Sequence, residues 1–457
     1  VSELPRRVHF VGIGGIGMSA LAKVLQEEGY QVSGSDLKLT PLVRRLAARG
    51  AVLYEGHAPE HVQGAELVVT TAALPPGHPE VEAARTAGIP VISRAALLGR
   101  LMAHRRGIAV AGTHGKTTTS AMIVHLLVAS GHDPTFLVGG EIRTLETNAR
   151  RGSDEWLVAE ADEYDRSFLH LWPEIAVLTN VEADHLDIYA DLTAVQQAFC
   201  QFARQVTGTL VLCADDPFLA GGGLGDLTRP VVSYGLTAGE WQARDIRLEG
   251  AGSRSLVYRA GHLLGELRLA LPGRHNIQNA LGALAAVSLI GVGGEATLAA
   301  LAHFRGTRRR QEVVGEAGGV LVIDDYGHHP TEIRATLSAL RAAYSDRRLV
   351  CLFQPHTYSR TKLLLAEFAT CFAAAEVVRV AEIYPARERD EWGITAADLV
   401  RALDHPDARS VGEVEEAAVA VAAELRPGDL LVIMGAGDIT RAGPLVLARL
   451  GEHGAAG

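Results

Sequence analysis

Lysine is nearly absent from this 457-residue chain, occurring only at Lys23, Lys38, Lys116 and Lys362, while arginine supplies almost all of the positive charge. The bias is read as genome composition, yet it makes a lysine set among glycines stand out. Cysteine is also scarce. Cys200, Cys213, Cys351 and Cys371 form no C-x-x-C pair, which gives no support to a zinc ribbon or a redox dithiol and fits small core residues in a reducing compartment. No apolar run approaches the ~20 residues that a membrane span requires. The chain enters a strand-like segment at Val8 to Val11 without a signal-peptide pattern, so the expectation is no membrane insertion, no export and a cytoplasmic location. Acid outweighs base, and the formal charge of −10 argues against a general nucleic-acid binder, which would carry a basic face. Any phosphates must be gripped locally.

Aromatics make up only 5% of the residues against 48% apolar overall, a balance that suits packed α/β layers. The length exceeds one ordinary core and points to about three domains. In the first, Val8-His9-Phe10-Val11 runs into Gly12-Ile13-Gly14-Gly15-Ile16-Gly17 and an Ala/Leu-rich helix to about Glu28; short apolar runs at Val32 to Gly34, Leu67 to Thr70 and Val91-Ile92 follow. That alternation predicts a doubly wound parallel sheet ending near residue 104. A second unit opens with Ile108 to Ala111, the loop Gly112-Thr113-His114-Gly115-Lys116-Thr117-Thr118 and a helix to about Ser130, with strands at Trp156 to Ala159, Ile175 to Thr179 and Leu210 to Cys213. The stretch from Ala220 to Gly265 reads as a looser antiparallel appendage, and a helix resumes at Asn276. A third unit follows Arg308-Arg309-Arg310, with strands at Val320 to Ile323, Leu349 to Phe353 and Leu430 to Met434. The expectation is α/β, three consecutive domains over 1–104, 105–308 and 309–457: N-terminal Rossmann-like, central P-loop-type mononucleotide-binding, C-terminal Rossmann-like.

Gly12-x-Gly14-x-x-Gly17 between strand and helix permits a tight turn, close approach to a diphosphate and helix N-terminal amides aimed at it, with Asp36 where a ribose hydroxyl partner is expected. A dinucleotide or any nucleotide diphosphate could use that geometry, and purely structural glycines are the bland alternative. The second loop is sharper. Gly112, Gly115, Lys116 and Thr117 match the working end of a phosphate loop, whose amides cradle phosphates, whose ammonium neutralises charge and whose hydroxyl can sit on Mg²⁺. It departs from the full spacing, since Val110 occupies the first glycine position.

Glu160 lies beyond an apolar strand, where an acid would hold Mg²⁺; Ala161 to Asp165 is strongly acidic and reads for the most part as a solvated loop. His185, after Asp184, could complete a metal or phosphate site or be merely structural. Asn276 and Asn279 share a helix face that could read a purine, although a cap at Asn276 is simpler. Among Arg308 to Arg310 one guanidinium could reach ATP phosphates, against a surface ion-pair role. Asp324-Asp325-Tyr326-Gly327-His328-His329-Pro330 and Gln354-Pro355-His356-Thr357-Tyr358-Ser359-Arg360-Thr361 end successive strands, the usual place for function in an open sheet.

Taken together, these segments, with Gly273 and Gly435-Ala436-Gly437-Asp438, give a chain that resembles the Mur ligases of peptidoglycan synthesis over nearly its whole length, most closely their alanine-adding branch. The resemblance implies that Gly12, Gly14, Gly15, Gly17, Ser19 and Asp36 serve a UDP-linked substrate, UDP-N-acetylmuramate. It implies that ATP meets Gly112 to Thr118, Asn276, Asn279, Arg310 and Asp325, with Mg²⁺ on Thr117, Glu160 and His185. L-Alanine would lie among Tyr326, His328, His356 and Arg360. Lys116, Glu160, His185, Arg310 and His328 would carry the chemistry, with His328 the candidate for deprotonating the amine. The chain departs from the family at Thr357, where an arginine is frequent, and it has no lysine between Lys116 and Lys362 for the carbamylated residue of sister enzymes.

Two other classes remain open at this stage. A nicotinamide-dependent dehydrogenase built on Gly12 to Gly17 leaves Lys116 without a purpose, and a regulatory ATP-binding module predicts affinity without turnover. Within the family, the rival is a ligase that attaches a whole tripeptide to the same acceptor.

Overall fold

The computed structural model describes residues 4–454; the ends of the expected outer domains, 1–3 and 455–457, lie outside the described residues. The chain divides into two compact units, one of Val1–Val181, Gln196–Gln242 and Ala280–Ala300, the other of Glu182–Val195, Ala243–Asn279 and Leu301–Gly457.

The first unit begins with β1 (Arg7–Val11), β2 (Gln31–Asp36), β3 (Val52–Glu55), β4 (Leu67–Thr70) and β5 (Val91–Ser93), all parallel in the order β3-β2-β1-β4-β5. Val8 to Val11 are buried, as the near-continuous apolar run of a strand covered on both faces requires. Strands β2 and β3 extend the sheet on one side of β1 and β4 and β5 on the other, so the strand order reverses at β1 and a crevice opens at its carboxyl end. The glycine turn sits there.

A second sheet in the same unit uses β6 (Arg106–Ala111), β7 (Thr135–Ile142), β8 (Thr147–Arg150), β9 (Trp156–Ala161), β10 (Ile175–Leu178), β11 (Thr209–Cys213) and β12 (Val231–Gly235), ordered β12-β11-β10-β6-β9-β7-β8. Strand β6 lies between β9 and β10, parallel to both, so its carboxyl end is another reversal point. Two expectations need correction. Glu160 is inside β9 opposite Val110, not beyond the strand, because the polar end of β9 still has β6 to pair with. The stretch after Ala220 is not all antiparallel, since Val231 to Tyr234 extend the parallel ladder of β11. Strand β13 (Trp241–Glu249) begins beside β12 through Trp241 and Gln242.

In the second unit β14 (Gly252–Arg259) and β15 (His262–Leu269) form the expected antiparallel hairpin. A third sheet comprises β16 (Glu312–Ala317), β17 (Val320–Asp325), β18 (Arg348–Phe353), β19 (Val377–Val380), β20 (Ala408–Ser410) and β21 (Asp429–Met434), in the order β16-β17-β21-β18-β19-β20. Only β16 runs antiparallel to its neighbour. Period-two alternation splits β17 and β18 between two cores: Leu321, Ile323, Cys351 and Phe353 pack with Ile333, Leu337 and Phe368, while Val320, Val322, Val350 and Leu352 pack with Val414, Val421 and Val446. Cys213, Cys351 and Cys371 are buried as expected, but Cys200 is half-buried on the helix Leu192–Gln205. Among the described residues no helix is long and apolar enough to cross a membrane.

Candidate functional site

At the first glycine turn the backbone N–H groups of Gly12 and Ile13 donate to Ser35 O at 2.9 and 3.0 Å, and Gly14 N–H donates to Asp36 Oδ2 at 2.8 Å. Asp36 thus holds the turn itself. A Cβ on Gly14 would stand 2.7 Å from that carboxylate oxygen and one on Gly17 2.8 Å from Arg94 Nη1, so a side chain at either position would displace the end of Asp36 or Arg94. Ser19 is buried, and its hydroxyl donates back to Gly15 O and Ile16 O at 3.0 and 3.1 Å. Arg94, which follows β5 and which no motif singled out, lies over Gly17 and brings a guanidinium to the turn. Gly15 begins the helix that opens at Ile16.

The second loop wraps the carboxyl end of β6. Gly112 has φ +139° and Gly115, immediately before the helix Lys116–Ala129, has φ +83°, both conformations that a side chain resists. Asn180 clamps the loop: its carbonyl accepts from Thr113 N–H (3.0 Å), its Oδ1 accepts from His114 N–H (2.9 Å) and its Nδ2 donates to His114 O (3.2 Å). Thr179 Oγ1 adds a bond to His114 O at 2.5 Å. Lys116 Nζ reaches Gly112 O at 2.6 Å and the carboxylate of Glu163 at 2.8 Å. Burial acts to lower the pKa of Lys116, but the charge and hydrogen bond of Glu163 together with the charges of Asp162 and Glu160 outweigh it, and the ammonium is held above its ordinary value.

Glu160 Oε1 accepts Gly139 N–H at 2.5 Å, and a Cβ on Gly139 would stand 2.7 Å from Glu160 Oε2. Burial pushes this carboxyl up, while the Gly139 amide, Lys116 and the Thr117 hydroxyl pull it back. Thr117 and Glu160 therefore adjoin, and Thr118 in the same first turn is buried. His185 belongs to the other unit, at φ +53°, with its N–H on Asp184 Oδ1 at 2.7 Å.

In the second unit the arginine cluster is sorted by its partners. Arg308 is 60% exposed beside Glu312, the surface role of the bland reading. Arg309 is tied to Asp324 (3.3 Å) and Gly435 O (2.6 Å). Arg310 faces Glu332 at 3.4 Å, and both Arg309 and Arg310 lie over the Tyr326 ring at 5.0 and 5.2 Å. Asp325 accepts N–H bonds from Gln311 and Gly327 at 2.9 and 2.8 Å; burial pushes its carboxyl up to about 6, against the pull of Arg310. Asn276 is not a cap: the helix starts at Arg274, and Asn276 Nδ2 donates to Pro272 O at 2.8 Å. The chain turns into the helix before Asn276, so that amide serves the preceding loop. Asn279, one helical turn along, is buried.

His328 and His356 lie 5.7 Å apart between Tyr326, 5.6 Å from His328, and Tyr384, stacked on His356 at 5.6 Å. His328 Nδ1 is 3.1 Å from Tyr326 O. Since a carbonyl only accepts, Nδ1 carries the proton and Nε2 keeps a lone pair. Arg360 Nη1 approaches His356 Nδ1 at 3.2 Å, which leaves Nε2–H as the donor of that ring. Burial, helped by Arg360, lowers His328 to about 3, and burial, helped by His328 and Arg360, lowers His356 to about 2, so both are neutral near pH ~7. Arg360 also meets Asp184, and with Thr357, Leu363 and His185 these residues line a shallow cleft. Thr357 bears φ +68° with ψ 145°, a strained setting for a β-branched residue, and Glu388 accepts Ser359 N–H at 2.9 Å to brace the following turn.

Sequence patterns missed Arg94, Glu163, Gln311, Tyr384 and Glu388. Only Glu163 belonged to a segment singled out in the sequence, the acidic run Ala161 to Asp165.

Comparison with known proteins places three family models end to end along the chain: "Mur ligase family, catalytic domain" over residues 7–106, "Mur ligase middle domain" over 110–287 and "Mur ligase, glutamate ligase domain" over 309–437. A UDP-N-acetylmuramate--L-alanine ligase of Anaeromyxobacter sp. (strain Fw109-5) is 45% identical over 452 residues, covering 98% of each chain. Among solved structures, the UDP-N-acetylmuramate-alanine ligase of Thermotoga maritima matches with TM-score 0.81 and 30% identity over 98% of this chain and 99% of that one. A murein peptide ligase of Psychrobacter arcticus 273-4 matches with TM-score 0.74 and 28% identity over the same shares.

Proposed function

Because the chain belongs to the Mur ligase family, a family of three-domain α/β ligases of peptidoglycan synthesis that use ATP, we propose that it joins L-alanine to the lactyl carboxylate of UDP-N-acetylmuramate. The observation that carries the choice of substrates is the 45% identity to an alanine ligase across 98% of both chains. The boundaries we assign are 1–104 for the UDP-substrate domain, 105–308 for the ATP domain and 309–457 for the amino-acid domain, in the cytoplasm, where nucleotide precursors are made.

The substrate carboxylate attacks the γ-phosphorus of ATP, giving an acyl phosphate and ADP. Lys116 and the amides of its loop neutralise and position the phosphates, which is most of what such a transfer needs. Asn276, Asn279, Arg310 and Asp325 are assigned to the nucleotide, and the turn from Gly12 to Gly17 with Asp36 to UDP. Thr117 and Glu160 supply adjacent hard oxygen donors that fit Mg²⁺, with His185 assigned as a further ligand; a bound ion would shield phosphate charge.

The amine of L-alanine then attacks the acyl carbon and phosphate departs. His328 is assigned to this step through its Nε2 lone pair, which accepts a hydrogen bond from the amine. With a pKa of about 3 it is too weak a base to keep the proton, and the leaving phosphate, a stronger base, takes it. Tyr326, His356 and Arg360 enclose the amino acid.

The test is phosphate release from ATP with UDP-N-acetylmuramate and single amino acids or a tripeptide offered in turn. L-Alanine should support turnover, and Lys116→Ala should lower it on the order of a thousandfold. Turnover with the tripeptide alone would assign the chain to the murein peptide ligase branch, to which the Psychrobacter neighbour belongs.

A further inference from the structure

Glu163 lies in the acidic run that reads as solvated loop, yet its side chain is 2% exposed and its two oxygens stand 3.1 and 2.8 Å from Lys116 Nζ. The same nitrogen is 2.6 Å from Gly112 O and 3.1 Å from Thr113 O. An ammonium has three hydrogens. Two loop carbonyls and one carboxylate therefore use all of them, and a phosphoryl oxygen can reach Lys116 only by replacing one of these acceptors.

Charge decides which acceptor leaves. The carbonyls of Gly112 and Thr113 belong to the backbone of the turn, which Asn180 clamps. The Glu163 carboxylate is anionic and would face the incoming phosphate across a buried site, where like charges repel most strongly. The adjoining carboxylates have partners of their own: Asp162 is drawn towards Arg94 at 3.8 Å, and Glu160 is engaged by Gly139.

We propose that Glu163 is a positioning residue that holds Lys116 over the loop and is exchanged for a phosphoryl oxygen when nucleotide binds. The proposal rests on the reading of Lys116 as a phosphate ligand. Breaking the pair opposes nucleotide binding, so nucleotide affinity is weaker than the loop alone would give. In return, the buried ammonium stays folded over the turn at the place where phosphate arrives.

The experiment is calorimetric titration of the full chain with ADP, for the native protein, Glu163→Gln, Glu163→Asp, Lys116→Ala and the double variant Lys116→Ala/Glu163→Gln. Glu163→Gln should tighten ADP about tenfold, or about 1.4 kcal/mol. Glu163→Asp, which keeps the charge, should stay near the native affinity. Without Lys116 the Gln substitution still relieves like-charge repulsion but should tighten ADP less than with Lys116 present, because the acceptor exchange no longer occurs. Unchanged or weakened binding by Glu163→Gln, or equal tightening with and without Lys116, overturns the proposal. If Lys116→Ala itself leaves ADP affinity intact, the phosphate-loop reading fails with it. Should the Gln variant not fold, Glu163→Ala in the same cycle decides by the same criteria.

Discussion

Asp184 and Arg360, 176 positions apart, share a single carboxylate oxygen: Arg360 Nε and Nη2 lie 3.0 and 2.9 Å from Asp184 Oδ1. Both side chains are under a tenth exposed. The guanidinium assigned to the amino-acid carboxylate is therefore already oriented and partly neutralised by the protein. Burial works against the charge of Asp184, but Arg360 foremost, with His185, His329 and His328, holds its carboxyl well below the usual range.

Removing Arg360 strands that carboxylate. Arg360→Ala should lower unfolding stability by about 3 kcal/mol near neutral pH. A depressed carboxyl contributes stability above its unfolded pKa of about 3.9 and loses it as pH falls below that value. The deficit of Arg360→Ala should therefore shrink in acid, as urea denaturation at about pH 7 and about pH 3 would measure. An equal deficit at both would contradict the assignment.

Gly112 tolerates no side chain. At φ +139° any L residue is strained, and a Cβ would collide with the Thr179 hydroxyl and stand 3.1 Å from Asn180 N and O. Gly112→Ala should cost about 2–4 kcal/mol of stability and displace the clamp on the phosphate loop. Thermal unfolding reads the first effect and ADP titration the second.

Asp325 has the opposite pH behaviour to Asp184. Its carboxyl is raised to about 6, so the stability it confers is fully present below the unfolded pKa and is lost as pH rises through about 6. Relative to Asp325→Asn, the native protein should lose about 3 kcal/mol between about pH 4 and pH 7. Parallel stability curves for the two proteins would refute this.

His328 stays neutral over the working range, since burial lowers it to about 3. The pH profile of kcat/KM for the amino acid should show no inflection from it between about pH 5 and pH 8. His328→Phe should lower that ratio about tenfold or more without moving the profile. A limb that vanishes in the variant would restore His328 as the proton carrier.

Local patterns made much of this molecule legible. The strands β1, β4, β6, β17 and β21 were visible because buried parallel strands are continuous apolar runs, and the two loops were visible because only glycine suits Gly112 and Gly115. Strands β7, β8 and β12 escaped notice. They are mixed in polarity, and what makes them strands is a neighbour: β9 for β7, β11 for β12. Glu163 was misjudged for a related reason. An acidic run looks solvated until the fold sets one of its members against a buried lysine.

Sequence alone determined the α/β class, the family likeness and the chemical types present at each strand end, because these depend on residue order and short-range backbone preference. Tertiary structure alone decided which charges face one another. Asp36 turns to Gly14, Glu163 to Lys116 and Asp184 to Arg360, pairings across 22, 47 and 176 positions. Such pairings follow from strand order and burial, which set distance and dielectric together, and no local pattern encodes either.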